Sequence, residues 1–201
     1  MLLDIYDEAM LGFEKDFCTV IVMVDMSAAF DTVDIDILLN ILSKNLNIGG
    51  TAYSWFKSFL LGRNQCVKIE DNFSNWLETK FGVPPGSTLG PIMYNIYSKG
   101  LTDVIIKCGF KTSCYADDSN GRLQFMINMQ YSSICVKIPH LIGEVQAFMN
   151  SQKLKMNKEK TEVLLLHPQK LSGHVIRGLF LNNECTRITN VGTWDFILIQ
   201  P

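Results

Sequence analysis

Phe17-Cys18-Thr19-Val20-Ile21-Val22-Met23-Val24 is a nearly continuous run of apolar and β-branched residues, and it leads directly into Asp25. Such a run is typical of a strand that is buried on both faces in the middle of a sheet. Carboxylates rarely lie beside such a core without a partner or a bound ion. We therefore predict a central strand with a functional carboxylate at its end.

Two further carboxylates stand side by side in Tyr115-Ala116-Asp117-Asp118. Residues 110–115 predict a short strand, and Ser119-Asn120-Gly121 predicts a turn. Neighbouring aspartates repel one another unless a cation lies between them. Judged alone, the stretch is better explained as a hairpin turn, where Asp and Asn are common in any case.

The rest of the chain predicts helices and strands in alternation. Helices are predicted over residues 1–15, 51–61, 87–100 and 138–149. A further helix is predicted between residues 31 and 50, with Asp31 or Thr32 as its N-cap and Gly49-Gly50 at its end. Strands are predicted over residues 65–69, 76–81, 123–127 and 161–166, with weaker candidates near 175–181 and 186–191, while residues 128–136 look irregular. The aromatic residues of the 51–61 helix are interpreted as core. No repeat or linker interrupts the pattern, so the prediction is one α+β domain.

Composition excludes several classes of protein. Of the 201 residues, 47% are hydrophobic and 19% are charged, which is ordinary for a globular protein. With a net charge of -2, contact with phosphates would need a local patch. Lys153, Lys155, Lys158 and Lys160 are a candidate patch, and a solvated helix end explains them equally well. No apolar run reaches about 18 residues, so no membrane partner is expected.

The six cysteines form no CxxC pair and no zinc-binding spacing with the three scattered histidines. The acidic residues that follow Leu2-Leu3 do not fit a signal peptide. We therefore expect reduced, mostly buried thiols in an intracellular protein of the cytoplasm, the nucleus or both.

Four stretches occur in a distinctive order and spacing: Val24-Asp25-Met26-Ser27-Ala28-Ala29-Phe30-Asp31, Phe81-Gly82-Val83-Pro84-Pro85-Gly86-Ser87-Thr88-Leu89-Gly90-Pro91, Tyr115-Ala116-Asp117-Asp118, and Leu154-Lys155-Met156-Asn157-Lys158-Glu159-Lys160-Thr161. Together they resemble reverse transcriptases, most closely those of LINE-type (non-LTR) retrotransposons. The resemblance implies a polymerase palm, an antiparallel sheet packed on helices. It further implies a single partial domain over 1–201, with a core at about 17–166 and a degenerate tail at 167–201.

By the same resemblance, Asp25, Asp117 and Asp118 are catalytic residues that bind two Mg²⁺ or Mn²⁺ ions. Lys160 matches a lysine that protonates the leaving pyrophosphate, although a surface lysine is an equal alternative. Phe30 matches an aromatic gate under the incoming sugar rather than a plain core residue. Pro85, Gly86 and Ser87 fall where the family lines the template and the nascent base pair. The family usually has glutamine where this chain has Pro85, and Asp31 is interpreted as a helix cap.

The implied activity is RNA-directed DNA polymerisation, with an RNA template, a DNA primer and deoxynucleoside triphosphates as partners. The family's fingers and thumb regions are expected to be largely absent. The isolated chain is therefore expected to bind Mn²⁺ or Mg²⁺ weakly and to show little or no polymerase activity. The alternative is an inactive retrotransposon remnant that folds but only binds cations or nucleic acid. A third hypothesis is an adaptor that binds nucleic acid or a protein through its palm. The oligomeric state stays open.

Overall fold

A computed structural model describes residues 2–115, 118–157, 160–167, 188–191 and 194–199. The chain divides into two compact units. The first unit comprises Met1–Ser27, Leu101–Met149 and Lys155–Pro201, and the second comprises Ala28–Gly100 and Asn150–Leu154.

The described residues form helices and strands in the following order: α1 (Leu2–Phe13), β1 (Phe17–Val24), α2 (Ile35–Lys44), α3 (Gly50–Leu60), β2 (Asn64–Gln65), β3 (Lys68–Ile69), β4 (Asn72–Phe73), β5 (Leu77–Glu78), α4 (Gly90–Lys107), β6 (Lys111–Tyr115), β7 (Asp118–Met126), α5 (Ile127–Ser151), β8 (Glu162–Leu166), β9 (Ile188–Val191) and β10 (Trp194–Ile199).

The first unit is built on a six-stranded sheet in the order β6-β7-β1-β8-β10-β9, and every neighbouring pair is antiparallel. β1 has the bounds that the sequence predicts, and it is an internal strand paired with β7 and β8. Residues 18–22 of β1 are buried without interruption. The prediction of a central strand buried on both faces is therefore confirmed.

Helices lie against both faces of this sheet. At Gly121 of β7, a Cβ atom would meet the side chains of Leu141 and Ile105 at 3.1 and 3.2 Å, so α4 and α5 approach the sheet closely there. On the opposite face, Glu8 of α1 accepts hydrogen bonds from Arg122 Nε at 3.1 Å and Lys111 Nζ at 2.7 Å. Alternation along β7 puts Asp118 on the same face as Arg122, away from α4 and α5.

Several predicted boundaries were wrong. Ser119, Asn120 and Gly121 belong to β7 rather than to a turn, and all three are buried. Residues 128–136, predicted to be irregular, lie within α5. The helix predicted over 87–100 is α4, which begins at Gly90 and continues to Lys107. The strand predicted over 161–166 is confirmed as β8, and the candidate at 175–181 lies outside the described residues.

Apolar residues at helical spacing predict a buried stripe of Ile35, Leu38, Leu39, Leu42 and Leu46. In the second unit, α2 buries the first four, but Leu46 lies beyond the helix and is 42% exposed, so its predicted burial was wrong. The cap of α2 is Asp34, whose side chain accepts the Ile37 N–H, so the prediction that Asp31 or Thr32 caps this helix was wrong. Thr32 Oγ1 instead donates to the Ala28 carbonyl at 3.1 Å. The cap lies directly before the first buried residue of the stripe, which is where an N-cap side chain can reach the first free N–H groups.

The aromatic residues of α3 are not core, contrary to the interpretation of the sequence. Trp55 is 49% exposed, and its ring stacks on Phe59 with the centroids 5.4 Å apart. Only Leu60 of this helix is fully buried. The strands beyond α3 are short and exposed, with β2 paired to β5 and β3 paired to β4.

Of the cysteines that the structure describes, Cys18 is buried, Cys66 and Cys108 are half-buried and Cys114 is exposed, so the expectation of mostly buried thiols was wrong. All four are free thiols. Burial raises the pKa of the Cys18 thiol to about 11, which keeps it protonated and unreactive. Within the described residues, no helix combines the length and the apolar character needed to span a bilayer.

Candidate active site

Neighbouring strand ends bring two of the predicted carboxylates together. Val24 at the end of β1 pairs with Ser119 of β7, so the next residue outward on each strand is Asp25 or Asp118. Opposite residues on antiparallel strands have Cα atoms about 4.5–5.5 Å apart. Asp25 is half-buried and Asp118 is exposed. The two carboxylates therefore begin from adjacent backbone positions at one end of the sheet.

The pairing of β6 with β7 extends closer to the two aspartates than the sequence suggested. Tyr115, the last residue of β6, pairs with Asp118, the first residue of β7. Asp117 lies outside the described residues, so its predicted role stays a prediction. Asn120 Nδ2 donates to the Ser113 carbonyl at 2.7 Å, which also ties the two strands together.

The backbone on either side of Asp25 is held by the segment that precedes β8. The Asn157 N–H donates to the Asp25 carbonyl at 3.0 Å, and the Ser27 N–H donates to the Lys155 carbonyl at 3.0 Å. Between them, Met26 and Met156 form an antiparallel bridge. Met26 is buried. Asp25 therefore emerges from a fixed piece of backbone rather than from a free loop.

Lys160 lies at the same end of the sheet. It occupies a turn just before β8, whose first residue Glu162 pairs with Met23 near the end of β1. The Lys160 N–H donates to the Asn157 carbonyl at 3.3 Å, and Thr161 donates to the same carbonyl through its N–H and its Oγ1. The Lys160 side chain is exposed. The Lys160 backbone is thus held by a hydrogen bond at the same end of the sheet as Asp25 and Asp118, and its side chain faces solvent.

The remaining predicted site residues belong to the second unit. The Phe30 ring packs on Tyr94 of α4, with the centroids 4.6 Å apart and the planes tilted by 34°. The Phe30 carbonyl accepts the Val83 N–H at 3.1 Å, which joins it to the loop before α4. Phe30 is only half-buried, so part of the residue stays accessible beside this contact.

Residues 82–87 form a loop that hydrogen bonds hold in place. Ser87 Oγ donates to the Pro84 carbonyl at 2.8 Å and accepts the N–H of Gly90, the first residue of α4, at 3.0 Å. Pro85 and Gly86 are exposed, and Gly86 has a φ of +70° with open space around it. Ser87 therefore satisfies the first N–H group of α4.

Arg63 closes one side of this loop. Its Nε donates to the Leu60 carbonyl at 2.9 Å, and its Nη2 donates to the Gly82 carbonyl. A cleft of about 780 Å³ lies beside it, lined by the exposed Lys80 and Phe81 among others. Sequence reasoning missed this role of Arg63, and the only signal was its place in the Gly62-Arg63-Asn64 turn.

Asp25 and Asp118 offer oxygen ligands alone, which suits hard divalent cations such as Mg²⁺ or Mn²⁺. The described residues contain no group of three Asp, Glu, His or Cys side chains placed to hold a metal. The third predicted ligand, Asp117, is not among them. The carboxylate oxygens of Asp25 and Asp118 are therefore suitable ligands for the predicted cations.

Three comparisons with known proteins bear on this site. The family described as reverse transcriptase (RNA-dependent DNA polymerase) matches residues 7–192. A Drosophila melanogaster protein named "Probable RNA-directed DNA polymerase from transposon BS" is 28% identical over 158 residues, covering 74% of this chain and 16% of that protein. A Saccharomyces cerevisiae protein named for intron 2 of COX1/OXI3 is 26% identical over 140 residues, covering 70% of this chain and 14% of that protein.

Among solved structures, apo telomerase from Candida tropicalis, truncated from its C-terminal domain, matches with a TM-score of 0.56 and 15% identity. The match covers 80% of this chain and 34% of that chain. At this identity the likeness concerns the fold, and it confirms the predicted palm-like α+β class. The chain spans 16% and 14% of the two curated relatives.

Proposed function

Because the chain belongs to the reverse transcriptase family, we propose that it is the palm of an RNA-directed DNA polymerase of the LINE type. Its substrates would be an RNA template, a DNA primer with a free 3′-hydroxyl, and deoxynucleoside triphosphates. The observation that carries the proposal is the pairing of β1 with β7, since it sets Asp25 and Asp118 at adjacent strand ends.

Asp25 and Asp118, with Asp117, would hold two Mg²⁺ or Mn²⁺ ions. When bound, such ions supply Lewis-acid stabilisation to the attacking hydroxyl and to the leaving pyrophosphate. Carboxylates crowded together repel one another, so the same three side chains favour a bound cation. The hydrogen bond from Asn157 to the Asp25 carbonyl supports a fixed orientation for the first of these ligands.

Two further residues would act on the substrates directly. Lys160 would donate a proton from its Nζ to the leaving pyrophosphate, as a general acid placed at the same sheet end as the carboxylates. Phe30 would lie under the sugar of the incoming nucleotide and disfavour a 2′-hydroxyl. The contact of its ring with Tyr94 supports this role, because it holds the ring while the residue stays partly exposed.

Residues 85–87 would line the template and the nascent base pair. Ser87 is fixed by its bonds to Pro84 and Gly90, and Gly86 leaves open space for a close approach of another backbone. Pro85 favours the alternative function, an inactive remnant that binds cations or nucleic acid only. A proline lacks both the amide side chain and the backbone donor that a glutamine would bring to this place.

A primer-extension assay separates the two functions. The substrates are poly(rA)/oligo(dT) and dTTP, with Mn²⁺ as the cation. We expect the extension rate of Asp118→Asn to be at least about 100-fold lower than that of the wild type, because the transition state loses charge stabilisation. Asp103→Asn, which neutralises an exposed carboxylate of α4, should extend as the wild type does. No extension by a wild-type chain that binds Mn²⁺, even when a fingers-containing segment is supplied, would favour the remnant.

A further inference from the structure

Asp34 is a buried carboxylate with two separate charge-stabilising partners. It is 5% exposed, and its Oδ1 accepts the Ile37 N–H at 3.0 Å as the cap of α2. Its Oδ2 accepts from Lys153 Nζ at 2.7 Å. Lys153 comes 119 residues later in the chain, two residues after the end of α5. The bond to the Ile37 N–H is enough to cap α2, so the bond to Lys153 is not needed for capping.

Tyr97 of α4 extends the network to the backbone of the same late segment. Its hydroxyl accepts the Asp34 N–H at 3.3 Å and donates to the Gln152 carbonyl. Tyr97 is 1% exposed, so this hydroxyl bridges the two segments away from solvent. Gln152 and Lys153 are thus tied to one carboxylate residue, the first through its backbone and the second through its side chain.

Asp34 and Lys153 each stabilise the charged form of the other. Burial alone would raise the pKa of Asp34, but the hydrogen bonds from Lys153 and from the Ile37 N–H outweigh it and hold the pKa below its ordinary value. The hydrogen bond to Asp34 raises the pKa of Lys153. Both directions describe the same attraction, so the ion pair is intact at neutral pH.

The backbone of Lys153 is in the left-handed region, with a φ of +54°. Glycine or asparagine is the usual residue there, because a larger side chain raises the energy of this conformation. Ala28 and Glu70 also adopt a positive φ, and at Lys153 this conformation follows the end of α5, where the Lys153 N–H donates to the Asn150 carbonyl at 3.1 Å. The backbone therefore forms the turn, and the bond from the ammonium to Asp34 attaches the same residue at a second point.

The residues that follow Lys153 are those that hold the Asp25 backbone. Lys155 accepts the Ser27 N–H through its carbonyl, and Asn157 donates its N–H to the Asp25 carbonyl, each at 3.0 Å. Only Leu154 separates Lys153 from this bridge. A shift of one residue in the turn would exchange the inward and outward positions of the bridge.

We propose that Lys153 is a positioning residue: by binding Asp34, its ammonium fixes the register in which residues 155–157 run against residues 25–27, and so orients Asp25. The catalytic meaning of this orientation rests on the proposed function. The effect of Lys153 on the register does not depend on the proposed function, and it can be measured without any substrate.

Amide hydrogen exchange followed by NMR tests the register on the full chain. In Lys153→Gln, the N–H groups of Ser27 and Asn157 are expected to exchange about tenfold faster, because a charged hydrogen bond that restricts their opening is lost. The amides of Val20 and Val22 in the centre of β1 should stay within about twofold of the wild type. Asp34→Asn should reproduce the effect while keeping the cap, since asparagine is an equally good N-cap.

Two control variants test whether the effect is specific to the charge of Lys153. Lys137→Gln removes the same charge from an exposed position of α5 and should leave Ser27 and Asn157 unchanged. Lys153→Arg keeps a cation and should restore most of the protection. An equal acceleration at Ser27, Asn157, Val20 and Val22 would mean that the pair only adds global stability, and it would overturn the proposal. Unchanged exchange at Ser27 and Asn157 would overturn it as well.

Mn²⁺ affinity, measured on the same proteins by electron paramagnetic resonance, separates this proposal from the proposed function. If both hold, Lys153→Gln weakens Mn²⁺ binding by about tenfold, the size typical of a residue that orients a ligand. If the wild-type chain binds no Mn²⁺ but the exchange pattern is as expected, the proposed function fails and the positioning role of Lys153 stands.

Discussion

Asp25→Asn is expected to weaken Mn²⁺ binding by the chain at least about 100-fold, since even residues that only support a ligand are worth about 10–100-fold in metal affinity. Asparagine has nearly the shape of aspartate but lacks its charge, so the backbone bonds around Asp25 should survive the change. The loss would therefore report on the carboxylate itself. Titration with Mn²⁺ followed by electron paramagnetic resonance measures it directly.

Asp103→Asn serves as the matched control for this loss. Asp103 is an exposed carboxylate in the same unit, so its neutralisation changes the net charge equally without touching the end of β1. We expect its Mn²⁺ affinity to stay within about twofold of the wild type, because exposed charges are well screened. Equal effects of the two substitutions would contradict a specific role for Asp25.

Gly82→Ala is expected to lower the free energy of unfolding by about 2–4 kcal/mol. Two costs add at this position. Gly82 has a φ of +80°, which disfavours any residue with a Cβ atom. In addition, a Cβ atom would lie 3.0 Å from the Cα and the carbonyl oxygen of Asp31 and 3.1 Å from the Phe30 carbonyl oxygen. These are backbone atoms, so they cannot move aside as a side chain would.

Gly86→Ala separates the two costs. Gly86 also has a positive φ, of +70°, but no atom lies within 4 Å of a Cβ built there. Only the conformational cost remains, and we expect a loss of about 1–2 kcal/mol. Urea denaturation followed by circular dichroism measures both variants. A loss in Gly82→Ala no larger than that in Gly86→Ala would mean that the 82–84 segment does not pack against Phe30 and Asp31 as described.

The central strand and its carboxylate were predictable because their signal is local and strong. Residues 17–24 have no polar side chain other than Thr19, so no amphipathic helix competes with a buried strand there. The same reasoning correctly found β8 and the buried stripe of α2. In each case the pattern of apolar residues alone determines which face is buried.

The errors arose where local preference and tertiary packing disagree. Ser119, Asn120 and Gly121 favour a turn by composition, yet all three lie in β7. At Gly121 a Cβ atom would lie 3.1 and 3.2 Å from the side chains of Leu141 and Ile105, so close packing favours a residue without a side chain. The aromatic residues of α3 illustrate the opposite error, since their hydrophobicity predicts burial and Trp55 is half exposed.

The network around Asp34 could be anticipated only in part. Its capping role follows from the sequence once the buried stripe is taken to begin at Ile35. Its bond to Lys153 joins residues 119 positions apart, and the bond from Tyr97 to Gln152 spans 55. No periodicity or motif encodes such pairings, so they became visible only in the folded chain.

Paramagnetic broadening by Mn²⁺ tests the central claim most directly, because it locates the cation without requiring catalysis. At low Mn²⁺ concentration, the amide signals of Met26, Ser119 and Thr161 should broaden first. Cys18 should stay sharp, since it lies about 23 Å from Asp25 at the usual rise per residue of a strand. This pattern should disappear in Asp25→Asn. Broadening that is uniform, or that spares Met26 and Ser119, would contradict a cation site at this end of the sheet.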